Sequence, residues 1–169
     1  VYHYNSSNGV NWSTTLINDG TNNRNPTIAI GNNDQIYVAW GENAASSKIW
    51  FANSSDKGKS WTTRSIQVNT TSTLNDALYA NIVVDANNNL HIFYNLDNNT
   101  ADYVIGYINS TNEGFSFSSP IILEVARTNP STENAQFVNV RGSRYPVSNR
   151  VSSALDYIWA DTFGTDEVR

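Results

Sequence analysis

The chain lacks cysteine and methionine, and only 15% of its residues are charged. Without cysteine it can form neither disulfides nor thiolate metal sites. No apolar stretch approaches the ~18 residues of a membrane-spanning helix, and no run of Lys or Arg occurs. A net charge of −5 and a pI near 4.8 argue against a nucleic-acid or anionic-membrane partner, because both need a clustered basic face.

The sequence begins at Val1 rather than at Met and shows no signal peptide. This is what we expect of a processed product or an excised segment. At 169 residues, of which 12% are aromatic, the chain has the size of a single domain and enough apolar material for a core.

A short phrase occurs three times. The fullest copy runs from Asn53 to Trp61, and weaker copies span 109–117 and 5–12. In each copy, polar side chains can bond nearby backbone N–H groups and a glycine supplies a residue at positive φ. The phrase therefore predicts a corner between two strands, closed by a buried aromatic residue. The residues assigned to the corners are Ser54, Asp56, Gly58 and Trp61; Ser110, Asn112, Gly114 and Phe117; and Ser6, Asn8, Gly9 and Trp12.

The closing aromatics are 49 and 56 residues apart, the length of a four-stranded antiparallel unit. Alternating apolar residues on either side of Gly/Asn/Asp turns predict hairpins between the corners. We expect full units at 26–68 and 80–124, related by a shift of 54 residues, with inner strands at 27–30 and 81–84. A polar connection is predicted over 127–143 and a third inner strand over 147–151. Residues 1–18 and 144–169 would each form part of a split unit.

The pattern Ser-x-Asp-x-Gly-x-x-Trp, complete from Ser54 to Trp61, resembles the Asp-box of the BNR-repeat, sialidase-like β-propellers. The resemblance implies an all-β chain, 1–169, built of β-propeller blades of four antiparallel strands. About three blades' worth is present, starting and ending mid-blade. Propellers usually have four to eight blades, so three cannot close a ring. We expect either a segment of a longer propeller or self-association in which two copies complete each other's split blades.

The resemblance also implies that binding sites lie on the face opposite the corners. The candidate ligand-face residues are Arg24, Glu42, Tyr79, Asp97, Arg144, Tyr145 and Asp161. Arg24-Asn25-Pro26 and Arg144-Tyr145-Pro146 resemble the Arg-x-Pro element of sialidases, although a Pro there also simply starts an inner strand. Sialidase chemistry needs an arginine clamp on a carboxylate, an Asp acid/base and a Tyr activated by Glu.

Three functions stay open. The favoured one is an extracellular, non-catalytic module that binds a glycan or a protein, for which no catalytic residue is assigned. The alternatives are a sialidase-like glycoside hydrolase and a structural subunit of a surface layer or filament.

Asparagine-rich segments suggest two further kinds of site. Asn-x-Ser/Thr triplets mark possible N-glycosylation, which would mean an extracellular or cell-surface protein, though an Asn- and Ser-rich chain also produces such triplets by chance. They begin at Asn5, Asn11, Asn53, Asn69, Asn98 and Asn109. No cofactor or metal site is assigned. Calcium is a weak alternative, with oxygen ligands from Asp97, Asn98, Asn99 and Asp102 or from Asp85, Asn87 and Asn89.

Overall fold

The computed structural model describes residues 1–20, 22–42, 48–67, 76–97, 102–127, 136–142 and 155–160. These residues form an all-β structure of twelve strands in three antiparallel sheets, with one short 3-10 turn at Asn32–Asp34 and no α-helix in the ranges just given. The strands are β1 (Tyr2–Asn5), β2 (Ser13–Leu16), β3 (Asn23–Ile30), β4 (Ile36–Glu42), β5 (Lys48–Ser54), β6 (Thr62–Gln67), β7 (Asp76–Val84), β8 (Leu90–Asp97), β9 (Asp102–Ser110), β10 (Ile121–Arg127), β11 (Gln136–Gly142) and β12 (Leu155–Ala160).

Two consecutive groups of four strands share one plan. In unit A (β3–β6) and unit B (β7–β10), each strand pairs antiparallel with the next. A one-residue shift interrupts the first pairing of both units, between Arg24 and Thr27 in unit A and between Leu78 and Asn81 in unit B. The predicted inner strands 27–30 and 81–84 lie within β3 and β7.

Each end of the described chain carries a separate hairpin. The N-terminal hairpin pairs β1 with β2, and the C-terminal hairpin pairs β11 with β12. The predicted connection over 127–143 is wrong, because β10 continues to Arg127 and β11 occupies Gln136–Gly142. Phe137, Val138 and Val140 are β-branched or aromatic residues, which are enriched in strands. The predicted strand 147–151 lies outside the described residues.

The main core lies between units A and B. Tyr37, Ile49 and Phe51 of unit A are fully buried there, in one cluster with residues of unit B such as Leu90 and Ile92. A smaller cluster covers the opposite face of unit A, where Ile17 of the N-terminal hairpin packs with Val38, Trp40 and Ala52. The hairpin and the two units therefore follow one another as layers, each burying its apolar face on the next.

The inner strands of the two units are also joined by hydrogen bonds. Thr27 Oγ1 donates to the Ala80 carbonyl at 3.2 Å and accepts from the Ile82 N–H at 3.2 Å. In addition, Glu42 at the end of β4 pairs with Ala77 of β7. These bonds fix the spacing of units A and B at their inner edges.

All three corners have the same internal hydrogen bonds. In unit A, Ser54 Oγ accepts from the Gly58 N–H at 2.8 Å, and Asp56 Oδ1 accepts from the Ser60 N–H at 2.9 Å. In unit B, Asn112 Oδ1 accepts from the Ser116 N–H in place of Asp56. In the N-terminal hairpin, Asn8 Oδ1 accepts from the N–H groups of Val10 and Asn11. The prediction of positive φ is confirmed for the three glycines, at +71° for Gly9, +83° for Gly58 and +81° for Gly114.

Each corner of a unit packs against the unit before it. A Cβ at Gly58 would lie 2.2 Å from His3 Cε1, and one at Gly114 would lie 2.4 Å from Phe51 Cζ. His3 and Phe51 occupy equivalent positions, two residues before the Asn that opens their own corner phrase. Only glycine permits so close an approach of backbone to ring.

The aromatic residues that close the corners of units A and B also pack against the preceding unit. Their predicted burial is only partly right. Trp61 meets His3 edge-on at 5.2 Å between ring centroids, and Phe117 meets Phe51 in the same way at 5.2 Å. Both are half-buried. Trp12 is 61% exposed, so its predicted burial is wrong. A Cβ at Gly9, in the same corner, would find no atom within 4 Å.

Candidate functional site

The chain direction gives the units two different ends. The corner end carries the three glycine corners and the short turns after β3 and β7. The open end carries the beginnings of β3, β5 and β7 and the ends of β4 and β8. Glu42, Arg24 and Lys48 all belong to the open end, which is the face predicted to bind a ligand.

Two stacked tryptophans mark the open end of unit A. The rings of Trp40 and Trp50 lie 6.1 Å apart and are within 8° of parallel. Trp40 is fully buried, whereas Trp50 is half-buried. Their indole N–H groups donate to two different acceptors, Trp40 to Asn23 Oδ1 at 2.9 Å and Trp50 to Glu42 Oε2 at 3.1 Å. We call Asn23, Trp40, Glu42 and Trp50 the tryptophan ledge.

A short polar segment holds one side of the tryptophan ledge. Asn18 Oδ1 accepts from the Gly20 N–H at 2.7 Å and from Asn23 Nδ2 at 2.9 Å, and Asn23 Nδ2 also donates to the Gly20 carbonyl. The backbone nitrogen of Val1 donates to the Asn18 carbonyl. With its amide nitrogen used in this way, Asn23 presents its oxygen to Trp40, so the ledge is organised before any ligand arrives.

Unit B has no equivalent of the ledge. Tyr94 occupies the position of Trp40, but Gly106 occupies that of Trp50, and a Cβ at Gly106 would lie 2.3 Å from Tyr94 Cε2. Tyr94 is fully buried, and burial raises the pKa of its hydroxyl. The partly buried Trp50 of the ledge is therefore a departure of unit A from the repeat.

Three of the seven predicted ligand-face residues come together near the ledge. Arg24 pairs with Gly41, the neighbour of Glu42, and Glu42 pairs with Ala77, two residues before Tyr79. Tyr79 has φ +51°, and Asn25 at the equivalent place in unit A has φ +50°. A tyrosine in this region costs roughly 1–2 kcal/mol, and bulges of this kind re-aim side chains near sites.

Of the other four predicted residues, the structure describes the position of one and leaves three undescribed. The backbone of Asp97 lies at the end of β8, opposite Asp76. Arg144, Tyr145 and Asp161 lie outside the described residues, as do Asn69 and Asn98 of the predicted glycosylation sites.

The other predicted glycosylation sites differ in accessibility. Asn5 and Asn11 are exposed, whereas Asn53 and Asn109 are half-buried. The Oδ1 atom of Asn53 is buried without a hydrogen-bond partner. Of these four, Asn5 and Asn11 offer an enzyme the easiest access.

The weak calcium candidate at Asp85 forms a closed turn at the corner end. Asp85 Oδ1 accepts from the N–H groups of Asn87 and Asn89, at 2.9 and 2.8 Å, and Oδ2 accepts from Asn89 Nδ2 at 2.8 Å. Burial raises the pKa of Asp85, but the hydrogen bonds from Asn89, His91 and Asn87 outweigh it and leave this pKa below its usual value. His91 in turn bonds the Tyr107 hydroxyl at 2.7 Å. The Asp85 oxygens thus have protein partners.

Sequence reasoning identified Glu42 of the ledge but missed Asn23, Trp40 and Trp50. Strand alternation could have indicated it, because Ile49 and Phe51 face the core between the units and Trp50 must therefore face the other way. A large aromatic residue on that face, at the open end, is a candidate contact for a ligand.

The described part of the chain contains neither a cluster of metal-ligating side chains nor a membrane-spanning helix. No three or more His, Asp or Glu side chains there group as metal ligands. No helix there has the length and apolar character needed to cross a membrane.

Comparison with known proteins supports the fold. No model of a known protein family matches the chain, and no curated protein sequence matches it. Among solved structures, it is similar to the Hadza microbial sialidase Hz136, with a TM-score of 0.59 and 16% sequence identity over 95% of this chain. The match covers 38% of the sialidase, so the chain spans well under half of that protein's length. At this identity the likeness shows a sialidase-like β fold alone.

Proposed function

We propose that the chain is a segment of an Asp-box β-propeller, with units A and B as successive blades, and that its open end binds carbohydrate without cleaving it. The architecture is supported by the shared plan of the two units, their identical corners and the sialidase-like fold. The binding role is carried by one observation, the tryptophan ledge with its partly buried Trp50 indole at the open end of unit A.

The ledge has the chemistry that a sugar needs. A pyranose presents a flat C–H face, which packs on an aromatic ring, and a rim of hydroxyl groups that need paired donors and acceptors. Trp50 offers the ring, and Glu42 places a carboxylate next to it, the kind of group that accepts hydrogen bonds from sugar hydroxyls. Because Trp40 supports Trp50 from one side, little ordering entropy is lost on binding.

The role assigned to Glu42 favours binding over hydrolysis. Its carboxylate positions Trp50 through the hydrogen bond at 3.1 Å, which is a structural task. In a sialidase mechanism the glutamate would instead have to activate a tyrosine nucleophile. The exposed Asn5 and Asn11 triplets are consistent with an exported, cell-surface or extracellular protein, which is the compartment we propose.

Binding can be tested on an array of sialylated and neutral glycans, followed by titration calorimetry with the best ligand. We expect Trp50→Ala to weaken binding at least tenfold, a loss of about 1.4 kcal/mol, and Trp50→Phe to retain part of it. Phe115→Ala is the matched control, because Phe115 is an aromatic residue that is 80% exposed at the corner end. Circular dichroism should show that all three variants keep the native fold.

Two results would contradict the proposal. Equal binding by Trp50→Ala and the unmodified chain would remove the ledge from the site. Turnover of a fluorogenic sialoside that is lost in Arg24→Ala would favour the hydrolase instead.

A further inference from the structure

The corner of the N-terminal hairpin differs from the other two corners at one position. In units A and B one residue separates the Asp or Asn from the glycine, as Glu113 separates Asn112 from Gly114. In the N-terminal hairpin that residue is missing, and Asn8 directly precedes Gly9, the single Asn-Gly pair in the sequence. A backbone nitrogen can attack the side-chain carbonyl carbon of the asparagine before it. Glycine has no side chain to hinder this close approach.

Hydrogen bonds in this corner link the atoms that such an attack involves. The Gly9 N–H donates to Ser6 Oγ at 2.8 Å, and the Ser6 hydroxyl donates to Asn8 Oδ1 at 3.1 Å. A continuous chain of hydrogen bonds therefore runs from the attacking nitrogen to the oxygen on which negative charge develops, and each bond polarises the next.

Two backbone groups also stabilise charge on the same oxygen. The N–H groups of Val10 and Asn11 both donate to Asn8 Oδ1, each at 2.9 Å. Preorganised donors aimed at a developing oxyanion lower the barrier of acyl-transfer steps. The amide carbonyl of Asn8 is thus polarised for attack by three donors of its own corner.

Solvent can reach this group whatever packs on the corner. Asn8 is exposed. Asn112 is exposed as well, although Gly114 in the same corner is buried and its backbone lies close to Phe51 of unit A. A sheet that packed on Gly9 in the same way would leave Asn8 open to water.

We propose that Asn8 of the folded chain is a site of spontaneous deamidation. The Gly9 nitrogen forms a bond to Asn8 Cγ and gives its proton to Ser6 Oγ, while Ser6 passes its own proton to Asn8 Oδ1. That proton then moves to Nδ2, the Cγ–Nδ2 bond breaks, and ammonia leaves a cyclic imide.

Water completes the reaction by opening the imide at one of two bonds. Cleavage between Asn8 Cγ and the Gly9 nitrogen gives aspartate, and cleavage between the Asn8 main-chain carbonyl carbon and that nitrogen gives isoaspartate. One water molecule is consumed and one ammonia is released. The modification adds one negative charge to a chain whose net charge is −5.

The corner of unit A shows that an aspartate fits this position. Asp56 Oδ1 accepts from the N–H groups of Lys59 and Ser60 at 3.0 and 2.9 Å, as Asn8 Oδ1 does from Val10 and Asn11. Deamidation to aspartate therefore converts the third corner to the type found in unit A. This inference rests on the corner geometry and is independent of ligand binding.

Peptide mapping by mass spectrometry, after the full chain has been aged in neutral buffer, measures the modification at each asparagine. Exchange of the amide NH2 for a hydroxyl group gives the mass gain, and chromatography separates aspartate from isoaspartate. We expect residue 8 to react roughly tenfold or more faster than residue 112, a difference of about 1.4 kcal/mol in activation free energy. Asn112 is the internal control, because its Oδ1 also accepts from a serine hydroxyl and a backbone N–H, but Glu113 follows it.

Two serine variants test the proton transfer. Ser6→Ala should slow the reaction at Asn8 by roughly tenfold in the folded chain, since it removes the general acid and base, and should have no effect in guanidinium chloride, where the corner is absent. Ser7→Ala is the matched control, because Ser7 is exposed beside Ser6 in the same corner, and it should leave the rate unchanged. Equal rates at residues 8 and 112 would overturn the site. An unchanged or higher rate in folded Ser6→Ala would overturn the mechanism.

Discussion

Replacing Gly114 by alanine would put a methyl group into the contact between the unit B corner and unit A. At φ +81° an alanine costs about 1–2 kcal/mol from the left-handed conformation. The new Cβ would also lie 2.4 Å from Cζ and 2.5 Å from Cε1 of Phe51. Because Phe51 is fully buried, it cannot swing away, and overpacking adds about 1–3 kcal/mol. We expect Gly114→Ala to lower the free energy of unfolding by about 2–5 kcal/mol.

Urea unfolding followed by tryptophan fluorescence measures this loss. Gly9→Ala is the matched control, because Gly9 has φ +71° but a Cβ there would meet nothing within 4 Å. Gly9→Ala should lower the free energy of unfolding only by the cost of the left-handed conformation, about 1–2 kcal/mol. Equal losses in the two variants would refute the packing of the corner on Phe51.

A double-mutant cycle separates the two contributions at this contact between units A and B. In a Phe51→Leu background the ring atoms nearest the new methyl group are gone, so the added cost of Gly114→Ala should fall by about 1 kcal/mol or more. An unchanged cost would mean that backbone strain alone is responsible.

The remaining predictions concern the stability of the fold at low pH and the contributions of the aromatic residues that close the corners. Hydrogen bonds from the Ser60 side chain and N–H, and from Ser54, hold the pKa of Asp56 well below its usual value, so the carboxylate stabilises the fold above about pH 4 and this contribution fades at lower pH. Asp56→Asn should therefore flatten the fall of the melting temperature between about pH 4 and pH 2; a fall as steep as in the unmodified chain would contradict this assignment. Phe117→Ala should lower the free energy of unfolding by about 2 kcal/mol, less than the loss of a fully buried phenylalanine would. Trp12→Ala should lower it by less than about 0.5 kcal/mol, because Trp12 is 61% exposed. Equal losses by urea unfolding would contradict their different surroundings.

The corners were predictable because their chemistry is local. Ser54, Asp56 and Gly58 lie within five residues of one another, and the hydrogen bonds of the corner depend only on these neighbours and on a glycine at positive φ. The positions of β3 and β7 were equally accessible, since alternation and turn residues are also short-range signals.

The surroundings of Trp12 and Trp50 depend on which sheet packs against their own. The local sequence pattern does not contain that information. Trp12 has the same place in its corner as Trp61, yet only Trp61 has a neighbour on its outer face in the described chain. Trp50 became a candidate only when the core between units A and B showed which face of β5 points away from it. β11 was hidden because a polar stretch on both sides of it resembles a connection.

The contact of Gly114 with Phe51 also bears on how such a chain can be cut and rejoined. The corner of one unit is fitted to an aromatic ring that belongs to its neighbour, so a boundary drawn between units A and B separates two residues that must match. A transplanted segment would keep its fit only if it began before Phe51 and carried that ring along with the glycine. The module that can be exchanged between chains of this type is therefore displaced by half a repeat from the one that the strands outline.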